Sequence, residues 1–326
     1  MKKIAINGFG RIGRTLFRLL HNQLNYQVVV INDLASPKVL SHLLKYDSIH
    51  GVLKGAVSFD EDSIIVDHHK ISVLNVEKLS NLNWSHFDID VVFECTGLFK
   101  SFQDNYLHIQ AGAKKVILSS PPVDNIPMVV LGVNDSLIKN SIKIISNASC
   151  TTNCAAPMIK VINDNFGVES AYVTTVHSYT SDQNLHDSIH TDLRRARSAP
   201  NSIIPTSTGA AKALSHIFPD IELGGCGIRV PVANCSLTDI TCVINKKTDI
   251  HSVNKLFQLS SERDLKGILN YNIDPIVSID VKSNPFSCIF DSKLTYVSGN
   301  MIKVVGWYDN EFGYCSRLID LLSKII

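Results

Sequence analysis

Along the first half of the chain, short apolar runs alternate with stretches whose apolar side chains recur every three to four positions. Lys3 to Asn7 has the pattern of a strand, and Ile12, Leu16, Leu19 and Leu20 then fall on one helical face. Gln27 to Asn32 holds Val28-Val29-Val30-Ile31, a continuous apolar run suited to a strand buried on both faces. Asp90-Val91-Val92-Phe93, Lys115-Val116-Ile117-Leu118 and Met128-Val129-Val130-Leu131 repeat that pattern. Strands separated by helical stretches predict an α/β fold with a doubly wound parallel sheet. Past Ile144-Ile145-Ser146-Asn147 the pattern changes, and strand-like runs at 171–177, 236–245, 274–281 and 301–308 have fewer helices between them. That predicts an α+β domain with a mixed or antiparallel sheet. The expected division is 1–149 as a dinucleotide-binding domain and 150–313 as a catalytic domain. The helix of 314–326, with Leu318, Leu321, Leu322 and Ile325 at helical spacing, is expected to pack back on the first domain.

A length of 326 residues suits two cores better than one. Hydrophobic residues at 45% and charged residues at 19% give the balance of a well-packed globular chain. The formal net charge of +1 gives no field that calls for nucleic acid, and no apolar run approaches a membrane span. The opening Met1-Lys2-Lys3-Ile4-Ala5-Ile6-Asn7 has too short an apolar stretch for a signal peptide, so a cytoplasmic location is expected. Eight cysteines are scattered from Cys95 to Cys315 without a C-x-x-C pair, which argues against a disulfide scaffold and against a metal site.

Chemistry enters first at Gly8-Phe9-Gly10-Arg11-Ile12-Gly13, a G-x-G-x-x-G turn between the first strand and its helix. Gly8 suits the tight turn, Gly10 the close approach of a pyrophosphate, and Gly13 the packing of helix on strand. Asp33, at the end of the second strand, is placed for the ribose hydroxyls, and its charge opposes the extra phosphate of NADP. The expected cofactor is therefore NAD.

The second centre is Ser149-Cys150-Thr151-Thr152-Asn153-Cys154, which follows an apolar strand and opens a helix. A cysteine at a helix start gains from the dipole as a thiolate, so Cys150 is the candidate nucleophile and Cys154 a structural residue. His177 ends a strand before a polar loop and is the candidate base, whereas the other histidines lie in surface-like or helical contexts. Three further features suit anions. Arg195 lies in the basic run Asp192 to Arg197, Thr208-Gly209 opens a helix, and Arg229 stands in an otherwise apolar strand. Two anion sites fit a phosphorylated substrate together with inorganic phosphate.

These blocks, with Ser207-Thr208-Gly209-Ala210-Ala211-Lys212 and Trp307-Tyr308-Asp309-Asn310-Glu311, resemble the glyceraldehyde-3-phosphate dehydrogenases over essentially the whole chain. The resemblance implies oxidation of glyceraldehyde 3-phosphate to 1,3-bisphosphoglycerate with NAD, through a cysteine thiohemiacetal and thioester. It implies cofactor contacts at Arg11, Ile12, Asp33, Ser119 and Asn310. It implies inorganic phosphate at Ser149, Thr151, Arg195, Thr208 and Gly209, and substrate phosphate at Thr180 and Arg229. A homotetramer is also implied. Ser188-Ile189 replaces a leucine-proline pair linked to NAD preference, which leaves that preference on Asp33, and Glu77-Lys78-Leu79 departs from the family on the adenine side. The alternatives are erythrose-4-phosphate dehydrogenase, which typically lacks the Thr208-Gly209 turn, and a non-enzymatic RNA- or partner-binding role, which the near-neutral charge disfavours.

Overall fold

β1 (Lys2–Asn7) buries Ile4, Ala5 and Ile6 completely, and α1 (Arg11–Leu20) buries Leu16, Phe17 and Leu20. The structure, a computed structural model, describes all 326 residues and divides into two units. The first comprises Met1–Val129, Ser136–Ala148 and Cys315–Ile326; the second comprises Val130–Asp135 and Ser149–Tyr314.

The first unit continues with β2 (Tyr26–Asn32), α2 (Pro37–Lys45), β3 (Val57–Phe59), β4 (Ser63–Val66) and β5 (His69–Leu74). Then come β6 (Val91–Glu94), α3 (Phe102–Gln110), β7 (Lys115–Leu118) and β8 (Ile144–Ser146). The sheet order is β3-β4-β5-β2-β1-β6-β7-β8. From β5 through β8 every pairing is parallel, and β3 and β4 add an antiparallel edge. The continuous apolar runs are the central strands, as two-sided burial requires. Chain order reverses beside β1, so the carboxyl ends of β1 and β6 flank the crevice where such sheets take ligands.

The second unit holds α4 (Cys150–Phe166), β9 (Val168–Ser178), β10 (Ile204–Thr206), α5 (Gly209–Ile217), β11 (Glu222–Val230) and β12 (Ser236–Ile244). α6 (Ile250–Glu262), β13 (Leu269–Asn272), β14 (Cys288–Asp291), β15 (Tyr296–Ser298) and β16 (Met301–Tyr308) complete it. Its sheet runs β10-β11-β9-β12-β16-β14-β13, with β15 on β16. β9 pairs parallel with β11 and β13 with β14; the other pairings are antiparallel, so the sheet is mixed. The last helix, α7 (Phe312–Ile325), starts before residue 314, and its fully buried Leu318, Leu321 and Leu322 belong to the first unit.

Two expected strands do not form. Met128–Leu131 makes a single bridge, Met128 to Ser146, and the Val130 carbonyl then accepts from the Val133 and Asn134 N–H groups in a local turn. In 274–281, Pro275 has no N–H to give a ladder, and Asp280 Oδ2 accepts from Val277 N–H at 2.8 Å. That turn chemistry produces a 3₁₀ helix at Ser278–Val281 instead.

Candidate active site

The glycine turn has the geometry its residues dictate. Gly8 sits at φ +89, where a side chain would also strike the Thr96 backbone. A Cβ on Gly13 would strike the Gly8 carbonyl, so helix and turn pack backbone to backbone. At Gly10 a Cβ would meet nothing within 4 Å, and α1 starts there without a capping side chain. An open glycine before an uncapped helix start is a cradle that fits the pyrophosphate of a dinucleotide. Asp33 accepts from Phe9 N–H at 2.7 Å on one oxygen and from Ala35 N–H at 3.0 Å on the other. Each oxygen keeps a further lone pair for a hydroxyl. The Arg11 side chain is drawn to Asp47, at 2.7 and 3.2 Å, so Arg11 and Ile12 face the cradle through the backbone of the first helical turn. Ser119, after β7, donates through both N–H and Oγ to the Glu94 carbonyl, at 3.0 and 2.9 Å.

In the second unit, Ser149 caps α4: its Oγ accepts from Thr152 N–H at 3.1 Å and lies 2.8 Å from Thr152 Oγ1. Cys150 is thereby the first helical residue, half-buried, with Sγ 3.5 Å from His177 Nε2. His177 is buried at the end of β9, and its Nδ1 lies 2.7 Å from the Ser178 carbonyl. β11 runs parallel to β9 with Arg229 opposite His177, and this register carries the guanidinium onto the ring. Arg229 Nη1 is 2.5 Å from His177 Nδ1 and donates to the Ser178 carbonyl at 2.9 Å.

The expected thiolate is not what burial favours. Burial pushes the Cys150 thiol up to about 11, outweighing the opposing charge of Arg229 and the donors of the α4 start. Burial also pushes the His177 imidazole down to about 3, and the Arg229 charge adds to that. Burial lowers Arg229 itself from its ordinary value. Burial thus disfavours the charged form of each group taken singly, and the 3.5 Å contact gives a proton a path from Sγ to Nε2.

Of the candidate anion residues, Arg229 and Arg195 both carry their charge to His177. Thr208 caps α5, its Oγ1 accepting from Ala210 N–H at 3.2 Å, and a Cβ on Gly209 would meet only open space. Arg195 donates from Nε to Thr206 Oγ1 at 3.0 Å and from Nη2 to the Ser207 carbonyl at 3.2 Å, which ties it to the turn before Thr208. Thr180 lies in the loop beyond β9, two residues past Ser178, its carbonyl accepting from Gln183 N–H at 3.0 Å. Asn310 is fixed by three donors to its Oδ1: Cys235 N–H at 2.9 Å, Ser178 Oγ at 3.0 Å and Ser236 Oγ at 3.3 Å.

Tyr308 is the neighbour that the sequence did not single out. Its buried hydroxyl lies 2.9 Å from both Thr151 Oγ1 and Thr175 Oγ1, joining α4 to β9. Its ring meets His177 edge-on at 6.0 Å. The alternation of β16, which turns Tyr308 inward, was the available signal. No helix is long and apolar enough to cross a membrane, and no group of three or more His, Cys, Asp or Glu side chains could hold a metal ion.

A thiol beside an imidazole suits covalent chemistry on a carbonyl, and a parallel sheet with this glycine turn suits a dinucleotide. Together they have the form of the cysteine-dependent dehydrogenases. Residues 2–102 match the family model of the glyceraldehyde 3-phosphate dehydrogenase NAD binding domain, and residues 149–310 match that of the C-terminal domain. The chain is 48% identical to a glyceraldehyde-3-phosphate dehydrogenase of Mycobacterium leprae over 332 residues, spanning 99% of this chain and 98% of the relative. It is 47% identical to glyceraldehyde-3-phosphate dehydrogenase 1 of Bacillus cereus, with the same coverage, and 48% identical to that of Borreliella burgdorferi over 99% of both chains. The chain belongs to the glyceraldehyde-3-phosphate dehydrogenase family.

Proposed function

We propose that the protein oxidises glyceraldehyde 3-phosphate with NAD and transfers the acyl group to inorganic phosphate, giving 1,3-bisphosphoglycerate. The observation that carries this reading is Cys150 at the start of α4 with its sulfur 3.5 Å from His177 Nε2. Residues 1–149 serve as the dinucleotide-binding domain and residues 150–313 as the catalytic domain. Gly8, Gly10, Gly13 and the first turn at Arg11 and Ile12 hold the pyrophosphate, Asp33 the adenosine ribose, and Ser119 and Asn310 complete the cofactor contacts. NAD, when bound, supplies the hydride acceptor.

Arg229 and Thr180 take the substrate phosphate. As the guanidinium turns to that phosphate, His177 Nδ1–H is left to the Ser178 carbonyl and Nε2 presents its lone pair to the sulfur. Cys150 loses its proton to Nε2, the sulfur adds to the aldehyde carbon, and a thiohemiacetal forms. Nε2 gives that proton to the new alkoxide oxygen to complete the thiohemiacetal, then takes it back from the hydroxyl as the carbon loses hydride, leaving a thioester. Inorganic phosphate, held by Ser149, Thr151, Arg195, Thr208 and Gly209, then attacks the thioester carbon, and the Cys150 sulfur departs. Cys150→Ser is expected to keep NAD binding while losing almost all turnover; ordinary turnover in that variant overturns the assignment.

Assembly as a homotetramer fits the apolar side chains the single chain leaves exposed in and near the 178–200 loop: Leu185, Ile189, Leu193 and Ile203. Eight free cysteines fit the reducing cytoplasm.

A further inference from the structure

The guanidinium assigned to the attacking phosphate is already bound by an anion of the protein's own. Arg195 Nη1 donates to the Asp182 carboxylate, while Nε and Nη2 hold Thr206 and Ser207. Those last two bonds make the arginine the fixed half of the pair; its side chain is 17% exposed. Asp182 is the half that can move, 61% exposed in the loop after β9. Its other oxygen lies 3.6 Å from His190 Nε2, so a second partner stands beside it. His190 Nδ1 is held by the Asp192 backbone, 2.9 Å from its N–H and 3.1 Å from its carbonyl, so the ring is anchored with Nε2 facing Asp182. The Asp182 charge also reaches Arg229, the other arginine assigned to a phosphate.

We propose that Asp182 is a built-in competitor for the attacking phosphate: its carboxylate sits on Arg195, yields to an incoming oxyanion by turning to His190, and so sets the phosphate concentration at which acyl transfer saturates. This rests on the assignment of Arg195 to that phosphate. A phosphate dianion carries more charge than a carboxylate and also meets the open helix start at Thr208 and Gly209, so it displaces Asp182. A singly charged anion such as acetate gains nothing over the carboxylate already present. The loop therefore screens the site for doubly charged tetrahedral anions.

The test varies inorganic phosphate at saturating glyceraldehyde 3-phosphate and NAD. Asp182→Asn is expected to lower the KM for phosphate about two- to fivefold, the scale of one part-exposed ion pair. His190→Asn, which removes the alternative partner, is expected to raise it about twofold, on the same scale. In a second readout without turnover, inorganic phosphate is expected to raise the melting temperature of Asp182→Asn at lower concentrations than it does for the parent. An unchanged or higher phosphate KM in Asp182→Asn overturns the proposal and leaves Asp182 as a residue that merely positions Arg195. Arg195→Ala separates the two ideas. If it raises the phosphate KM while Asp182→Asn does not lower it, only the competitor falls; if it leaves that KM unchanged, the assignment of Arg195 falls as well.

Discussion

Asp47 in the first unit and Cys150 in the second are both half-buried acids beside an arginine, and they respond in opposite directions. Burial alone would push the Asp47 carboxyl up, but Arg11 and the His50 and Ile49 N–H groups pull it down to about 2. Cys150 is pushed up to about 11 although Arg229 is near. The difference lies in where the donors point. Arg11 gives two hydrogen bonds to the carboxylate itself, whereas Arg229 gives its Nη1 to the Ser178 carbonyl and to His177. Two buried histidines repeat the contrast. His108 Nδ1 accepts from the Trp84 indole N–H at 3.0 Å and Nε2 faces Glu94 at 3.1 Å, so one tautomer satisfies everything. His177 Nδ1 faces both an acceptor, the Ser178 carbonyl, and a donor, Arg229, so two tautomers contend. A structural charge is over-determined by its partners, and a reactive group is left with a choice.

The largest expected effect tests the contested side. His177→Asn is expected to lower kcat on the order of 10²–10⁴-fold, the usual weight of a general base. With the Cys150 thiol held up at about 11 by burial, the sulfur depends on a neighbouring base to take its proton. Iodoacetamide should therefore alkylate Cys150 more slowly in the variant near pH 7. An alkylation rate equal to the parent's would show that His177 does not share a proton with the sulfur.

How much of this was legible in the sequence depends on how local each feature is. The Gly8 turn and the start of α4 at Cys150 are each set by residues within one turn, and the pattern found both; the capping role of Ser149 came only with the structure. Arg229 could be flagged as an arginine in an apolar strand, but its place on His177 comes from the register of β11 on β9, across 52 residues of sequence. β11 itself contains Gly224, Gly225 and Gly227, which carry no side chain to show a strand period. His108, grouped with histidines in surface-like or helical contexts, is fully buried on α3, and nothing in α3 announces the Glu94 and Trp84 that hold it. The Asp182–Arg195 contact was hidden in a polar loop for the same reason: a loop has no periodicity from which partners can be read.

The next effect tests the over-determined side. His108→Leu removes one donor from a buried carboxylate and strands the Trp84 N–H. Glu94 keeps Asn7 Nδ2 at 2.5 Å, Thr96 N–H at 2.8 Å and the Thr96 hydroxyl. The expected loss is about 2–3 kcal/mol, within the range for a hydrogen bond to a charged group with an orphaned partner. Urea unfolding measures it. Iodoacetamide alkylation of Cys150 should be unchanged in the same variant, and His177→Asn should show the reverse pairing of effects. A His108 variant that slowed alkylation would break the contrast.

The smallest expected effect is a matter of pH. Asp47 titrates at about 2 in the folded chain against an ordinary value of 3.8, so folding favours its charged form. Such a group adds stability that is fully present above its unfolded value and is lost as pH falls through its folded value. Asp47→Asn should therefore cost stability at pH 7. The full shift converts to somewhat more than 2 kcal/mol. Arg11 is 30% exposed, and solvent screening of the pair reduces the expected figure to about 1–2 kcal/mol. The gap between parent and variant should hold from pH 7 to about 5, narrow below about 4, and close only below about 2, where the parent carboxyl is protonated too. Urea midpoints at pH 7, 5 and 3 follow it, provided both chains still unfold reversibly at the lowest value. A gap that stays constant across that range would mean that Asp47 stabilises by packing and by the backbone bonds an amide can also accept. Its difference from Cys150 would then lie in shape rather than in where the arginine directs its hydrogen bonds.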